Sequence, residues 1–325
     1  MGNGDRTMKV WLKLATCCAL MLGAQAHAQN KNVTLVVPYP PGGAADQLAR
    51  VISQEMGTRF DQKVIVENRP GAGAQVAMNV VKNANPSSLG TVLFLADSGA
   101  YSLNRHLYQR LNYDVATDLI PMTLAAKAPV FLLVNKDSPF KTVQDLVAAG
   151  QKQELTYGSP GMGTGTHLLG EMLRKETGAR LVHVPYKGAG PALIDAVSGQ
   201  IDFIFDVLTG SRGFLEDGRL RAIAAATTER SPLRPDVPTI AEAGIPNVAF
   251  TIWWGISAKA GTPDEDVARL TEQLTAVLKE DAVVKKFVDF GIQIEPSTPK
   301  EFADLIEHDA QAMGPTIKAL EITLD

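Results

Sequence analysis

Cysteine is nearly absent from this chain. Its 325 residues hold two, Cys17 and Cys18, and both fall in a segment laid out like a cleavable secretory signal. Lys9 and Lys13 accompany a short apolar run from Leu12 to Leu22, and Ala26-His27-Ala28 supplies the small residues of a cleavage site. Cleavage after Ala28 would leave a chain without thiols, which excludes disulfides, cysteine nucleophiles and zinc ribbons. A lipid anchor on Cys17 is the competing reading; Thr16 is a poor residue before a lipidated cysteine, and the small-residue pattern comes later. After residue 28 no apolar run approaches the ~20 residues that cross a bilayer.

Catalytic signatures are missing too. There is no G-x-S-x-G elbow, H-E-x-x-H pair or Walker loop, and the histidines past the signal, His106, His167, His183 and His308, are scattered. Nor is there an excess of positive charge. The net charge is −4, and without residues 1–28 it becomes −6, from 28 basic and 34 acidic side chains. Nucleic acid is therefore a poor partner. A small anion is not excluded, because recognition at helix N-termini is local and needs no basic surface.

Glycine-rich turns are what the chain does have. Tyr39 to Asp46, Ser159 to His167 and Pro185 to Pro191 each lie between a strand-like apolar run and an amphipathic helix. In an open α/β sheet such turns sit at the carboxyl ends of strands, where helix N–H groups face a ligand. Strands are expected at 33–37, 63–67, 92–95, 130–134, 155–157, 181–184, 202–205, 220–225 and 253–258, alternating with helices through residue 198. Helices 263–279, 281–290 and 298–319 close the chain without enough strands for a third sheet. The expected organisation is a discontinuous first domain, 29–128 with 249–325, around an inserted second domain, 129–248. Two crossings between them make a hinge over a cleft.

Each turn also has a plainer reading. Tyr39-Pro40-Pro41-Gly42-Gly43-Ala44-Ala45-Asp46 is either a backbone grip or an ordinary strand-to-helix turn, with Asp46 as a first-turn helix residue. The second turn lacks the third glycine of the G-x-G-x-x-G dinucleotide fingerprint, and Thr164 or Thr166 caps its helix or meets an anion. Lys187 either attracts a carboxylate or points to solvent, while Tyr186 offers a flat wall and His183 reads as structural. Asp206, at the end of its expected strand, either binds a substrate ammonium or caps the next helix. The pair Trp253-Trp254 reads as core more readily than as pocket wall.

Read in order, Tyr39-Pro-Pro-Gly-Gly-Ala-Ala-Asp46, Glu67-Asn-Arg-Pro-Gly-Ala-Gly73, Ser159-Pro-Gly-Met-Gly-Thr164 and His183-Val-Pro-Tyr-Lys-Gly188 begin a series. It continues through Gly190-Pro-Ala192, Gly199-Gln-Ile-Asp202, Phe205-Asp206, Asp236-Val-Pro-Thr239, Glu242-Ala-Gly244 and Ala260-Gly-Thr-Pro263. The series resembles the extracytoplasmic solute receptors of tripartite tricarboxylate transporters, the Bordetella-uptake-gene family, over essentially all of the chain past the signal. Two departures stand out: Ala74 replaces a frequent glycine, and Pro86-Ser-Ser-Leu-Gly-Thr91 replaces the usual Pro-Asp-Gly-Tyr-Thr.

The resemblance implies a type II periplasmic binding protein, with two α/β lobes, a central cleft and crossing hinge strands. It implies a ligand-binding set of Tyr39, Pro41, Gly42, Gly43, Ala44, Ser98, Ser159, Gly161, Gly163, Thr164, Thr166, Pro185, Tyr186, Lys187, Gly188 and Asp206. The first two turns would form a pincer on a carboxylate of a di- or tricarboxylate, an amino acid or an aromatic acid. A non-enzymatic periplasmic monomer is expected, with no metal and no cofactor, handing a small organic acid to membrane permease subunits. A ligand sensor acting on a membrane sensor domain is the second reading, and an exported hydrolase or lyase the third.

Overall fold

The computed structural model describes residues 32–85 and 90–325; the expected signal and the first four residues of the Pro86 to Thr91 departure lie outside the described residues. Eight strands follow the order β2-β1-β3-β9-β4-β7-β5-β6, and β8 and β10 also pair with β4. They are β1 Val33–Val37, β2 Val64–Asn68, β3 Thr91–Asp97, β4 Leu119–Asn135, β5 Leu155–Ser159, β6 Leu181–Pro185, β7 Phe203–Val207, β8 Leu220–Ala225, β9 Thr251–Lys259 and β10 Gln293–Ile294.

Strand β4 is the axis of this arrangement. From Leu119 to Pro129 it runs antiparallel to β9, and from Val130 onward it pairs with β7 and β8. The exchange falls at Pro129, a residue with no N–H to give to a ladder. One sheet half thus holds β1, β2, β3, β9 and β10, and the other holds β5, β6, β7 and β8. Within each half the pairs β1/β2, β1/β3, β5/β6 and β5/β7 are parallel, so each needs a helical crossover.

Those crossovers and the remaining long helices are α1 Ala44–Phe60, α2 Gln75–Asn83, α3 Val143–Lys152, α4 Gly165–Thr177, α5 Ala189–Ser198, α6 Leu208–Glu216, α7 Asp264–Leu278, α8 Asp281–Asp289 and α9 Pro299–Leu320. Their ends obey local chemistry. Thr142 with Asp145 and Thr298 with Glu301 form reciprocal capping boxes at α3 and α9, and α9 carries Pro299 in its first turn. A left-handed Gly178 stops α4.

Both sheet faces are covered. One buried cluster joins β1 and β7 with Leu48 and Ile52 of α1, Leu168 and Leu169 of α4 and Leu270 and Leu274 of α7. A second packs Met78 of α2 and Phe302 of α9 on Phe94, and a third packs Leu193 of α5 and Leu208 of α6 on Phe131 and Ile204. Trp253 and Trp254, adjacent on β9, point to opposite faces and are buried in different clusters. Both are therefore core, in agreement with the sequence. Among the stretches not expected from sequence are the first part of β4, interrupted by Pro121 and Pro129; α2, behind a glycine turn; α6, which contains Gly210 and Gly213; and the short strand β10.

Gly255 of β9 lies under the Phe302 ring, and a Cβ there would overlap the ring atoms. Gly255→Ala is expected to lower unfolding free energy by about 1–3 kcal/mol through overpacking, measured as a urea midpoint shift at constant slope. An unchanged midpoint would mean that Phe302 has room to move.

Candidate ligand-binding cleft

The first turn is staked by one carboxylate. Asp46, buried in α1, accepts the Gly42 N–H at 2.9 Å, the Asn68 side-chain amide at 3.0 Å and the Arg50 guanidinium at 2.8 Å. Burial alone would raise its pKa, but Arg50, Gly42 and Asn68 together hold it below the ordinary value. Asn68 also donates to the Tyr39 carbonyl at 3.1 Å, tying the turn to β2. Gly42 needs its glycine, with φ +94°.

The second turn is built on two stacked imidazoles. His167 and His183 lie with ring centroids 4.0 Å apart. His167 Nδ1 accepts the Gly163 N–H at 3.1 Å, which puts the ring proton on Nε2, and His183 Nε2 meets Ser159 Oγ at 2.6 Å. Ser159 Oγ in turn receives the Gly161 N–H at 3.2 Å. Thr164 caps α4 by accepting the His167 N–H at 3.4 Å. Burial pushes His167 down to about 4; burial and the neighbouring His167 push His183 down to about 3. Both rings are therefore neutral supports, in line with the structural reading of His183.

The third turn is sewn to the second. Tyr186 N–H reaches the Ser159 carbonyl at 3.0 Å and Gly188 N–H the Pro160 carbonyl at 2.9 Å. The Tyr186 hydroxyl donates to Asp195 at 2.7 Å. The N–H groups of Gly42, Gly161, Gly163 and Gly188 are thus all bound within the protein. Open donors lie instead in the first turns of α1 and α5, whose N-cap residues Gly43 and Gly188 supply no side-chain cap.

The turns converge on a cavity of about 570 Å³. Of the residues named from sequence, Tyr39, Gly161, Gly163, Thr164, Tyr186, Lys187 and Gly188 line it, with Lys187 exposed. Pro41, Gly42, Gly43, Ala44, Ser98, Ser159, Thr166 and Pro185 are not among its lining residues. Ser98, Ser159 and Thr166 are buried behind them.

Asp206 is displaced furthest from its expected role. The strand runs on to Val207, so Asp206 lies inside it, 2% exposed, and is not among the lining residues. The Ser211 hydroxyl donates to the Val207 carbonyl at 2.9 Å, Asp206 Oδ2 has no hydrogen-bond partner among the described residues, and burial pushes the Asp206 pKa up to about 7. Strand alternation decides the side: Phe203 and Phe205 join the cluster that contains α4, so Asp206 faces the other way, toward Gly210 of α6.

Several lining residues were not named from sequence, chiefly the turn Pro70 to Ala74 and Asp97, Asn104 and Tyr108. Asn104 donates to the Gly73 carbonyl at 2.6 Å and to the Tyr113 hydroxyl at 2.9 Å, fixing that turn. Asp97 Oδ1 accepts the N–H groups of Gly99 at 2.8 Å and Ala100 at 3.3 Å, and the Tyr39 hydroxyl also bonds to Asp97. Burial raises both the Asp97 and Tyr39 pKa values, Tyr39 further because it faces the Asp97 charge. The signal for the Pro70 turn was present in Arg-Pro-Gly-Ala-Gly, read as motif but not as wall; no glycine marks Asn104 or Tyr108.

The wall at Gly163 is backed by the chain's far end. Leu324 N–H donates to the Leu107 carbonyl at 2.7 Å and its carbonyl accepts from Gln109 at 3.1 Å. Its side chain then abuts Gly163, where an added Cβ would be 2.9 Å from Leu324 Cδ1.

The sequence profile described as "Tripartite tricarboxylate transporter family receptor" matches residues 48–322. The chain belongs to that family. A Pseudomonas sp. (strain P51) relative, the UPF0065 protein in the tcbD-tcbE intergenic region, is 35% identical over 285 residues, 87% of this chain and 84% of its own length. Rpa4515 of R. palustris, solved with adipate, superposes with a TM-score of 0.85 at 31% identity, covering 90% of this chain and 98% of that one. MatC (Rpa3494) from Rhodopseudomonas palustris, with bound malate, gives 0.81 at 30%, covering 88% and 98%. The receptor has the two-lobed α/β fold of periplasmic binding proteins. It is a solute-binding protein rather than an enzyme, which sets aside the hydrolase or lyase reading.

Two predictions come from this geometry. Ala74, the residue in place of a frequent family glycine, has φ +74°, and Ala72 before it has φ +46°. Left-handed backbone costs alanine roughly 1–2 kcal/mol, part of which glycine's greater unfolded freedom offsets. Ala74→Gly is expected to stabilise the receptor by about 0.5–1 kcal/mol in denaturant titrations, and destabilisation would show that the turn is held without strain.

The histidine pair predicts acid sensitivity. Folding depresses both pKa values below the ordinary 6.5, so the unfolded chain binds more protons in that range. Their contribution is complete above pH 6.5, is lost as pH falls toward the folded values of about 4 for His167 and about 3 for His183, and changes little below them. Melting temperatures should follow that course, and the double variant His167→Gln/His183→Gln should fall less steeply; parallel curves would exclude the pair as the cause.

Proposed function

We propose that this receptor captures a small carboxylic acid in the cavity between its lobes and delivers it to the membrane permease of a tripartite tricarboxylate transporter. The observation that carries the reading is the cavity itself: three strand-to-helix turns converge on it, and α5 begins at its wall, its N-cap Gly188 supplying no side-chain cap. Helix N-termini favour anions by dipole and by free N–H groups. The adipate bound to Rpa4515 and the malate bound to MatC support an organic acid as the solute class.

In this reading Tyr39, Gly161, Gly163, Thr164, Tyr186, Lys187 and Gly188 meet the solute. Pro41 to Ala44, Ser98, Ser159, Thr166 and Pro185 act behind them as framework. The lobes divide as 29–128 with 249–325 and as 129–248, a division that the partner exchange along β4 supports. Residues 1–28 direct export to the periplasm and are removed near Ala28, and the receptor works as a monomer.

The test is calorimetry of the purified protein with adipate and malate beside Gly163→Val. Gly163 has φ +77°, and its Cβ would strike Leu324 at 2.9 Å and Leu107 at 3.2 Å. The variant is expected to weaken binding at least tenfold while losing about 1–2 kcal/mol of stability from the left-handed backbone. Unchanged affinity would remove the second turn from the grip. Absence of binding by any small carboxylic acid would overturn the receptor reading of this cavity.

A further inference from the structure

The cavity wall carries a charge that an acid-binding cleft does not need. Asp97 and Lys187 are the two lining side chains that ionise near neutral pH. Asp97 is only partly exposed, and among the described residues no lysine or arginine pairs with it. Its bonds to Gly99 and Ala100 cap the helical turn Gly99–Leu103, but a neutral asparagine or serine would cap that turn equally well. The Tyr39 hydroxyl supplies a third donor. A carboxylate has about four acceptor positions, so one remains for a donor arriving from the cavity.

The cost of holding this anion away from water falls when a cation meets it. A second carboxylate on the solute does the opposite, setting two like charges against one wall. On the receptor reading given above, on which this inference rests, the solute's carboxylate is taken by the uncapped N-terminus of α5, where Gly188 lines the cavity. That leaves Asp97 to face the rest of the molecule. We propose that Asp97 receives a cationic nitrogen of the solute, so that the cleft takes zwitterionic amino acids in preference to dicarboxylates. Tyr39 is the positioning residue, holding the carboxylate toward the cavity. The ammonium role considered for Asp206 thereby passes to Asp97.

The experiment is calorimetry of the purified exported protein with matched pairs: adipate against 6-aminohexanoate, succinate against 4-aminobutanoate, and malate against aspartate. In every pair that binds, the nitrogen-bearing member is expected to bind at least tenfold tighter, and Asp97→Asn, which keeps the turn's cap, should erase that ratio. Acid members binding as tightly as their partners, or a ratio that survives Asp97→Asn, would overturn the proposal while leaving the receptor reading intact. The wild-type ratio needs no variant and stands as a test even if Asp97→Asn folds poorly. No binding by either member of any pair would instead remove the carboxylate receptor reading and this inference with it.

Discussion

One strand belongs to both halves of the molecule, and the rest of the architecture follows from it. Strand β4 gives its first eleven residues to β9 and its last six to β7 and β8. The two parallel βαβ layers are therefore not independent bodies linked by loops. They share a hydrogen-bonded axis, and the ladder exchanges partners at a residue without an N–H. The strands of each layer end at the space between the layers. That is where a ligand crevice belongs in α/β proteins.

The turns at that crevice are rigid for a reason separate from the sheets. Glycine lets the backbone adopt its unusual angles, but glycine alone would leave it free to adopt others. Each turn is held by a specific acceptor: Asp46 for the first, the Ser159, His183 and His167 assembly for the second, and the Pro160 carbonyl for the third. The cost of ordering these loops is met in folding, before a solute arrives. Binding energy is then available for the solute itself.

The alternation of strands and helices, the three glycine turns and the family were legible in the sequence, because periodicity and glycine spacing are local properties. The internal bonding of the turns was not. Sequence places helix N–H groups at the turns, but not the internal bonds that use up the glycines' own donors at Gly42, Gly161, Gly163 and Gly188. Asp206 and Asp97 make the same point in opposite directions. Both lie near the end of a buried strand, and only three-dimensional register and the segment that follows decide which one faces the cavity. For Asp97 that segment is a helical turn folding back over β3; for Asp206 it is α6, which covers the carboxylate. The first part of β4 was obscured by two prolines, whose missing donors a strand tolerates where its partners change or its register shifts.

Residues 32–325 contain no cysteine, and Met162, on the second turn, lines the cavity yet is half-exposed. A single thiol introduced there would be the sole target for a maleimide dye within residues 32–325. The solute could then be read out optically at the mouth of its own site, making the receptor a scaffold for a reagentless fluorescent sensor.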